Sequence, residues 1–151
     1  MITLLLISLA MLVSWGRDSP DLALTPGSIR ASVTADIACS TKWGLDRRAV
    51  TETMKRQVAA SYGIQRASIV GSTIGLCCEF DHLIPRELGG ADVVQNLWPQ
   101  RWVAAKKKDA LENRLHALVC SGSMALADAQ RMIASDWVSA YQMYVVKRNR
   151  P

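Results

Sequence analysis

An acid beside a histidine, at the end of a strand-like run that a proline closes and two glycines reverse, constrains this chain most. The stretch is Glu79-Phe80-Asp81-His82-Leu83-Ile84-Pro85-Arg86-Glu87-Leu88-Gly89-Gly90, followed by Asn96-Leu97-Trp98-Pro99. Residues 76–84 read as a strand. Pro85 lacks an N–H and ends it, and the glycine pair allows a tight reversal. Residues 93–98 supply a second short strand or extended run. From Val103 the pattern turns helical, with Leu111, Leu115 and Leu118 as an apolar stripe and Val119 beside it. The expected unit is strand, turn, strand, helix, with the acid, the histidine and the asparagine at its centre.

Those residue types suit phosphodiester cleavage. That reaction needs a base to activate water, a cation for the leaving oxygen and a fixed geometry. His82 is the candidate base, because imidazole titrates near neutrality. Asp81 is the candidate metal ligand, because hard divalent ions prefer carboxylate oxygen. Neighbours on a strand point opposite ways, so the pair can share a site only where the strand ends and twists. Asn96 can hydrogen-bond across the loop and hold the histidine-bearing turn.

At 151 residues the chain has room for one domain with a real core. Half of it is apolar, which argues against disorder. The net charge of +5 favours an acidic partner such as nucleic acid or an anionic surface. The first fifteen residues are almost wholly apolar, and charge first appears at Arg17. That run is short for a membrane span and suits a secretory signal, with cleavage after Gly16. No Lys or Arg precedes it, so an uncleaved anchor through residues 1–15 or a mis-assigned start stays open. The expectation is an exported, periplasmic or secreted protein, and otherwise a membrane-anchored or cytoplasmic one. Cys39, Cys77, Cys78 and Cys120 make an even set without a C-x-x-C pair, which points to one or two disulfides. Cys77 and Cys78 face opposite ways if extended, and so are expected to serve different partners.

The domain division is a signal or anchor at 1–16, a linker or arm at 17–33 and a single domain at 34–151. Thr34 suits the cap of a short helix through Cys39. Thr51 caps a helix over 52–62 that ends at Gly63, with Met54, Val58 and Tyr62 on one face and Lys55 and Arg56 toward solvent. Residues 68–70 and 72–74 are strand-like. A last long helix starts near Ala125. Trp98, Trp102 and Trp137 read as core.

The segment Asp81-His82-Leu83-Ile84-Pro85, Leu88-Gly89-Gly90 and Asn96-Leu97-Trp98-Pro99-Gln100 resembles the HNH endonuclease motif, over residues 77–120. The Cys39, Trp43-Gly44, Arg48 and Val50-Thr51 segment and the run from Lys108-Asp109 to Ser121-Gly122 resemble one bacterial and phage subgroup of HNH-like proteins. The resemblance implies an α+β fold with a small ββα-metal core and flanking helices, a long C-terminal helix among them. It implies an endonuclease cutting DNA, with RNA as the other substrate. Asp81 would bind a divalent metal, Mg or Mn before Zn or Ni. His82 would be the general base, and Asn96 would organise the loop. The family's third signature residue, a metal-binding His or Asn, falls here on Ala105, with Lys106 next to it. Asp109 is the candidate replacement, nearer the active end of the helix than Glu112 and His116, which read as a solvated face with packing hydrogen bonds.

Arg86, Arg101, Lys106, Lys107 and Lys108 are candidate nucleic-acid contacts, against a solvated helix start for the lysines and a pair with Glu87 for Arg86. Arg47 and Arg48 read as surface or ion-paired. The sequence identifies no immunity-type partner. The departure at Ala105 also leaves a second reading, an HNH fold that binds nucleic acid without cutting it. A third is a disulfide-stabilised envelope protein that keeps the motif as a relic.

Overall fold

The computed structural model describes residues 18–147. The apolar run of residues 1–15, the cleavage position after Gly16 and the last four residues lie outside the described residues.

Two short helices come first. Thr34 caps α1 (Ala35–Ser40) by accepting from the Ile37 N–H. Thr51 caps α2 (Glu52–Ser61) by accepting from the Met54 N–H, and Gly63 follows at φ +68°. Val58 and Tyr62 are buried as their spacing predicts. Lys55 is not solvated, contrary to expectation. It flanks the buried face, and its Nζ donates to Glu52 (2.7 Å), the Gly71 carbonyl (3.1 Å) and Ser72 Oγ (3.1 Å).

Four strands form one antiparallel sheet in chain order: β1 (Ile69–Val70), β2 (Thr73–Ile74), β3 (Cys78–His82) and β4 (Leu97–Arg101). β3 opposes β4 with Asp81 across from Trp98 and His82 across from Leu97. Residues 94–96 turn as a single 3₁₀ turn rather than extending the second strand, so the strand begins one residue after Asn96. Alternation along β3 buries Cys78, Phe80 and His82 and leaves Glu79 and Asp81 half-buried. Helix α3 (Trp102–Cys120) follows β4 directly and packs against α4 (Leu126–Tyr141), which continues into a π-helical turn over Gln142–Val146. The fold is α+β, with a ββα unit at its centre and a long C-terminal helix.

The buried stripe of α3 is Ala104, Lys108, Leu111, Leu115 and Val119, with Ala105 beside it. It steps by three and four residues and includes a lysine. The core gathers Phe80, Leu83, Leu88, Leu97, Trp98, Leu111, Leu115, Ile133 and Trp137. Trp98 and Trp137 are core as expected, but Trp102 is 43% exposed at the start of α3. Residues 18–33 lie across the β3–β4 loop. Thr25 is buried and bonds Tyr62 and the Leu97 carbonyl, and Ile29 bridges to Gly90. No helix among the described residues is long and apolar enough to cross a membrane.

Cys39 and Cys120 join α1 to the end of α3, and Cys77 and Cys78 join each other. The second pair corrects the expectation that neighbours serve different partners. Cys77 belongs to the turn and Cys78 opens β3, so strand alternation does not separate them. The first closes a loop of sequence separation 81. Chain entropy values such a crosslink at about 4 kcal/mol. Cys39→Ser with Cys120→Ser is therefore expected to lower unfolding free energy in urea by up to about that amount, while Cys77→Ser with Cys78→Ser, closing almost no loop, costs far less.

Candidate active site

The loop between β3 and β4 is built around Asn96. Its side chain is fully buried, and both ends are used. Oδ1 accepts from the Ile84 N–H (3.0 Å) and the Ser28 N–H (3.3 Å). Nδ2 donates to the carbonyls of Ile84 (2.9 Å) and Ala91 (3.1 Å). The glycine pair makes this approach possible. Gly89 sits at φ +82°, and a Cβ on Gly90 would lie 1.8 Å from the Ile84 carbonyl oxygen. Asn96 does not line the cleft described next, so it positions the loop.

The clamped loop returns Asp92 to His82. His82 Nε2 and Asp92 Oδ1 are 2.7 Å apart. A carboxylate only accepts, so the ring donates its Nε2–H and the lone pair falls on Nδ1. Asp92 is held in turn by the Ala49 N–H, 2.8 Å from Oδ2. Burial would raise the Asp92 carboxyl, but the Ala49 N–H, His82 and Arg86 outweigh it, and its pKa falls below the ordinary value. Burial and then the Arg48 charge lower the His82 pKa, against opposition from Asp81 and Asp92. The ring is thus neutral at neutral pH.

His82 and Asp81 line a cleft of about 270 Å³ with Trp43, Arg48, Arg86 and Glu112. Arg48 donates to the Phe80 carbonyl (2.8 Å), which uses one of the guanidinium's five N–H groups. Arg86 is committed elsewhere. Its Nη2 pairs with Asp46 and donates to the Arg47 carbonyl (2.7 Å), and its Nε lies 3.5 Å from Asp92. It does not pair with Glu87. A larger groove, about 1050 Å³, runs between Leu22, Pro26 and the start of α4. Its Asp128 and Arg131 pair with each other, and it holds no comparable acid–histidine pair.

Behind Asp81 stands Lys108, which is fully buried. Its Nζ donates to Asp81 Oδ2 (3.0 Å), to the His82 carbonyl (2.6 Å) and to Glu112 Oε1. Three protons meet three acceptors. Burial works against the ammonium, but the Asp81 and Glu112 carboxyls outweigh it and hold its pKa above the usual lysine value. Burial also pushes Glu112 up, to about 8, with Asp81 adding to the shift and Lys108 opposing it.

This arrangement corrects two expectations. Lys108 is not a nucleic-acid contact, because helical period carries it into the core while Lys106 and Lys107 stay exposed. Asp109 is exposed on the next position of the helix, where burial and the Asp81 charge raise its carboxyl pKa, while Asp81 Oδ2 faces Lys108. A divalent ion does not fit between Asp81, the His82 carbonyl and Glu112 while the ammonium is there. Arg101 pairs with Asp18 at 3.7 Å, away from the cleft lining. Sequence reading missed Asp92, which carried no signal beyond residue type, and gave Arg48, Glu112 and Lys108 other roles. Lys108 carried a signal, since it lies three residues before Leu111 on the buried stripe.

Cys39, His116 and Cys120 form the one group among the described residues whose ligand atoms could hold a metal ion, all within 4.8 Å of one another. The two sulfurs are joined as a disulfide, and His116 Nε2 donates to the Ala38 carbonyl (2.9 Å). Thiolates for a metal would appear there only on reduction.

Comparisons with protein-family models, with curated proteins and with solved structures found no match to this chain.

Asn96→Ala strands the Ile84 N–H and the Ile84 and Ala91 carbonyls in a buried loop. At about 1–3 kcal/mol for each group left unmet, a loss of roughly 3 kcal/mol or more is expected in urea unfolding, with the amides of Ile84 and Ser28 losing hydrogen-exchange protection first.

Proposed function

We propose that this chain is an HNH-type hydrolase of nucleic-acid phosphodiesters, DNA before RNA, with His82 as general base. The observation that carries the reading is His82, bonded to Asp92 and lining a cleft that Arg48 also lines. The Asp-His, Gly-Gly and Asn pattern supports it, because those residues fall on the end of a strand, the loop after it and the turn that opens the next strand, with a helix directly after that strand.

Asp92 fixes the tautomer and His82 Nδ1 takes a proton from water. The hydroxide oxygen forms the new bond to phosphorus as the bond to the leaving oxygen breaks, and that oxygen takes a proton from solvent. The proton on Nδ1 then passes to bulk water. Arg48 stabilises the non-bridging oxygens as negative charge builds on them. Lys106 and Lys107, exposed near the start of α3, supply backbone phosphate contacts. Two disulfides fit an exported protein.

A second reading is favoured by one observation: the Lys108 ammonium already occupies the point between Asp81 Oδ2, the His82 carbonyl and Glu112. On that reading the chain binds nucleic acid without cutting it. Plasmid and single-stranded substrates separate the two. Cleavage that falls about 10²–10⁴-fold in His82→Ala, with Asn96 intact, supports the hydrolase. Binding that weakens steeply with salt, with no cleavage, supports the second.

The pH profile makes a further test. His82 acts as base only when neutral, and its pKa lies below the ordinary 6.5. The acid limb of cleavage is therefore expected below pH 6.5. Asp92 favours the charged ring, so Asp92→Asn should lower the rate and move that limb to still lower pH; an unmoved limb would count against the pairing.

A further inference from the structure

We infer that Lys108 is a resident cation: its ammonium fills an oxygen cage of hard-cation character, so this chain carries a side-chain charge where a divalent ion would otherwise bind. The cage is made of Asp81 Oδ2, the His82 carbonyl and Glu112 Oε1. Two carboxyl groups and a carbonyl are the donor set that Mg²⁺, Mn²⁺ and Ca²⁺ take. All three oxygens address one point, and that point is Lys108 Nζ. The first two stand 3.0 and 2.6 Å from it, and a metal would draw oxygens in to about 2.0–2.6 Å.

The cage is assembled by the fold rather than by a bound ion. Asp81 and His82 end β3. Lys108 and Glu112 are one helical turn apart on α3, so the helix carries both the cation and one of its oxygens. Lys108 is fully buried and exchanges with no solvent cation, and a chelator has nothing to remove. Charge decides why the two occupants exclude each other. A divalent ion would add two positive charges beside a buried ammonium that has no room to leave. Take the ammonium away, and two carboxyl groups are left facing a space that suits a cation.

Its ties also explain how the charge acts. The three protons are all held by protein, so Lys108 touches no substrate and is a positioning residue. It fixes the Asp81 carboxylate and the His82 carbonyl, and so the backbone that carries the imidazole. The consequence for activity rests on the hydrolase reading above: cleavage in this cleft needs no metal on Asp81.

The test is Mn²⁺ titration of the chelator-treated chain, disulfides intact, followed by calorimetry and by the electron-paramagnetic signal of free Mn²⁺. The wild-type chain and Asp81→Asn are expected to give the same titration. Lys108→Met is expected to take up one equivalent at least tenfold more tightly than wild type, with thermal stability rising as Mn²⁺ is added. The gain should vanish in Lys108→Met with Asp81→Asn. One equivalent bound by wild type and lost in Asp81→Asn overturns the inference, and that comparison stands even if Lys108→Met does not fold. A folded Lys108→Met that binds no more Mn²⁺ than wild type overturns it as well. In the activity arm, cleavage that survives EDTA supports the resident cation. Cleavage abolished by EDTA, restored by Mn²⁺ and lost in Asp81→Asn overturns it. Absence of cleavage under every condition overturns the hydrolase reading alone, while the titration still decides Lys108.

Discussion

One buried ammonium holds the end of β3 to α3. Lys108 reaches from the second turn of the helix to the Asp81 carboxylate and the His82 carbonyl, and is braced by Glu112 on its own helix. Such a group is costly to desolvate and costly to break. Removing one partner of a buried pair typically costs about 3–5 kcal/mol, because the other charge is left without compensation. The strand end and the helix start are therefore fixed relative to each other by charge as well as by packing. Everything that touches the cleft from that side, Asp81 and His82 above all, inherits the constraint.

The opposite side of the cleft depends on Asn96. Its amide closes the loop from Ile84 to Ala91, and the close approach at Gly90 leaves no space for a side chain. That closure brings Asp92 back to His82 over ten residues of chain. The two devices are complementary. Lys108 fixes the backbone of His82, and Asn96 fixes the acid that orients its ring. Between them lies the cleft, with Arg48 reaching in from the segment before α2. The histidine is buried and neutral while its supporting acid is ionised, an arrangement suited to accepting a proton.

Local patterns were legible. Thr34 and Thr51 cap the helices that follow them, and the Asp-His pair closes a strand before a proline. Asn96 makes the cross-loop bonds that its position predicts. The readings of Lys55 and Lys108 went astray because local spacing does not say which face a neighbour covers. Lys55 and Lys108 both read as solvated because lysine usually is, yet each sits beside backbone carbonyls and acids that another segment supplies. Cys77 and Cys78 read as divergent because the strand was begun two residues too early, at Leu76 rather than Cys78.

The sequence by itself determined the ββα order, the capped helices and the identity of the histidine and asparagine at the centre, because caps, breakers and periodicity act over a few residues. Only the tertiary structure decided what surrounds that histidine. Asp92 meets it through a loop closure, Arg48 comes from before α2, and Lys108 stands where an ion-binding partner was expected. Those contacts join residues 10 to 32 positions apart, and their energies depend on burial and on the sign of the charge opposite. Neither quantity exists until the chain has folded.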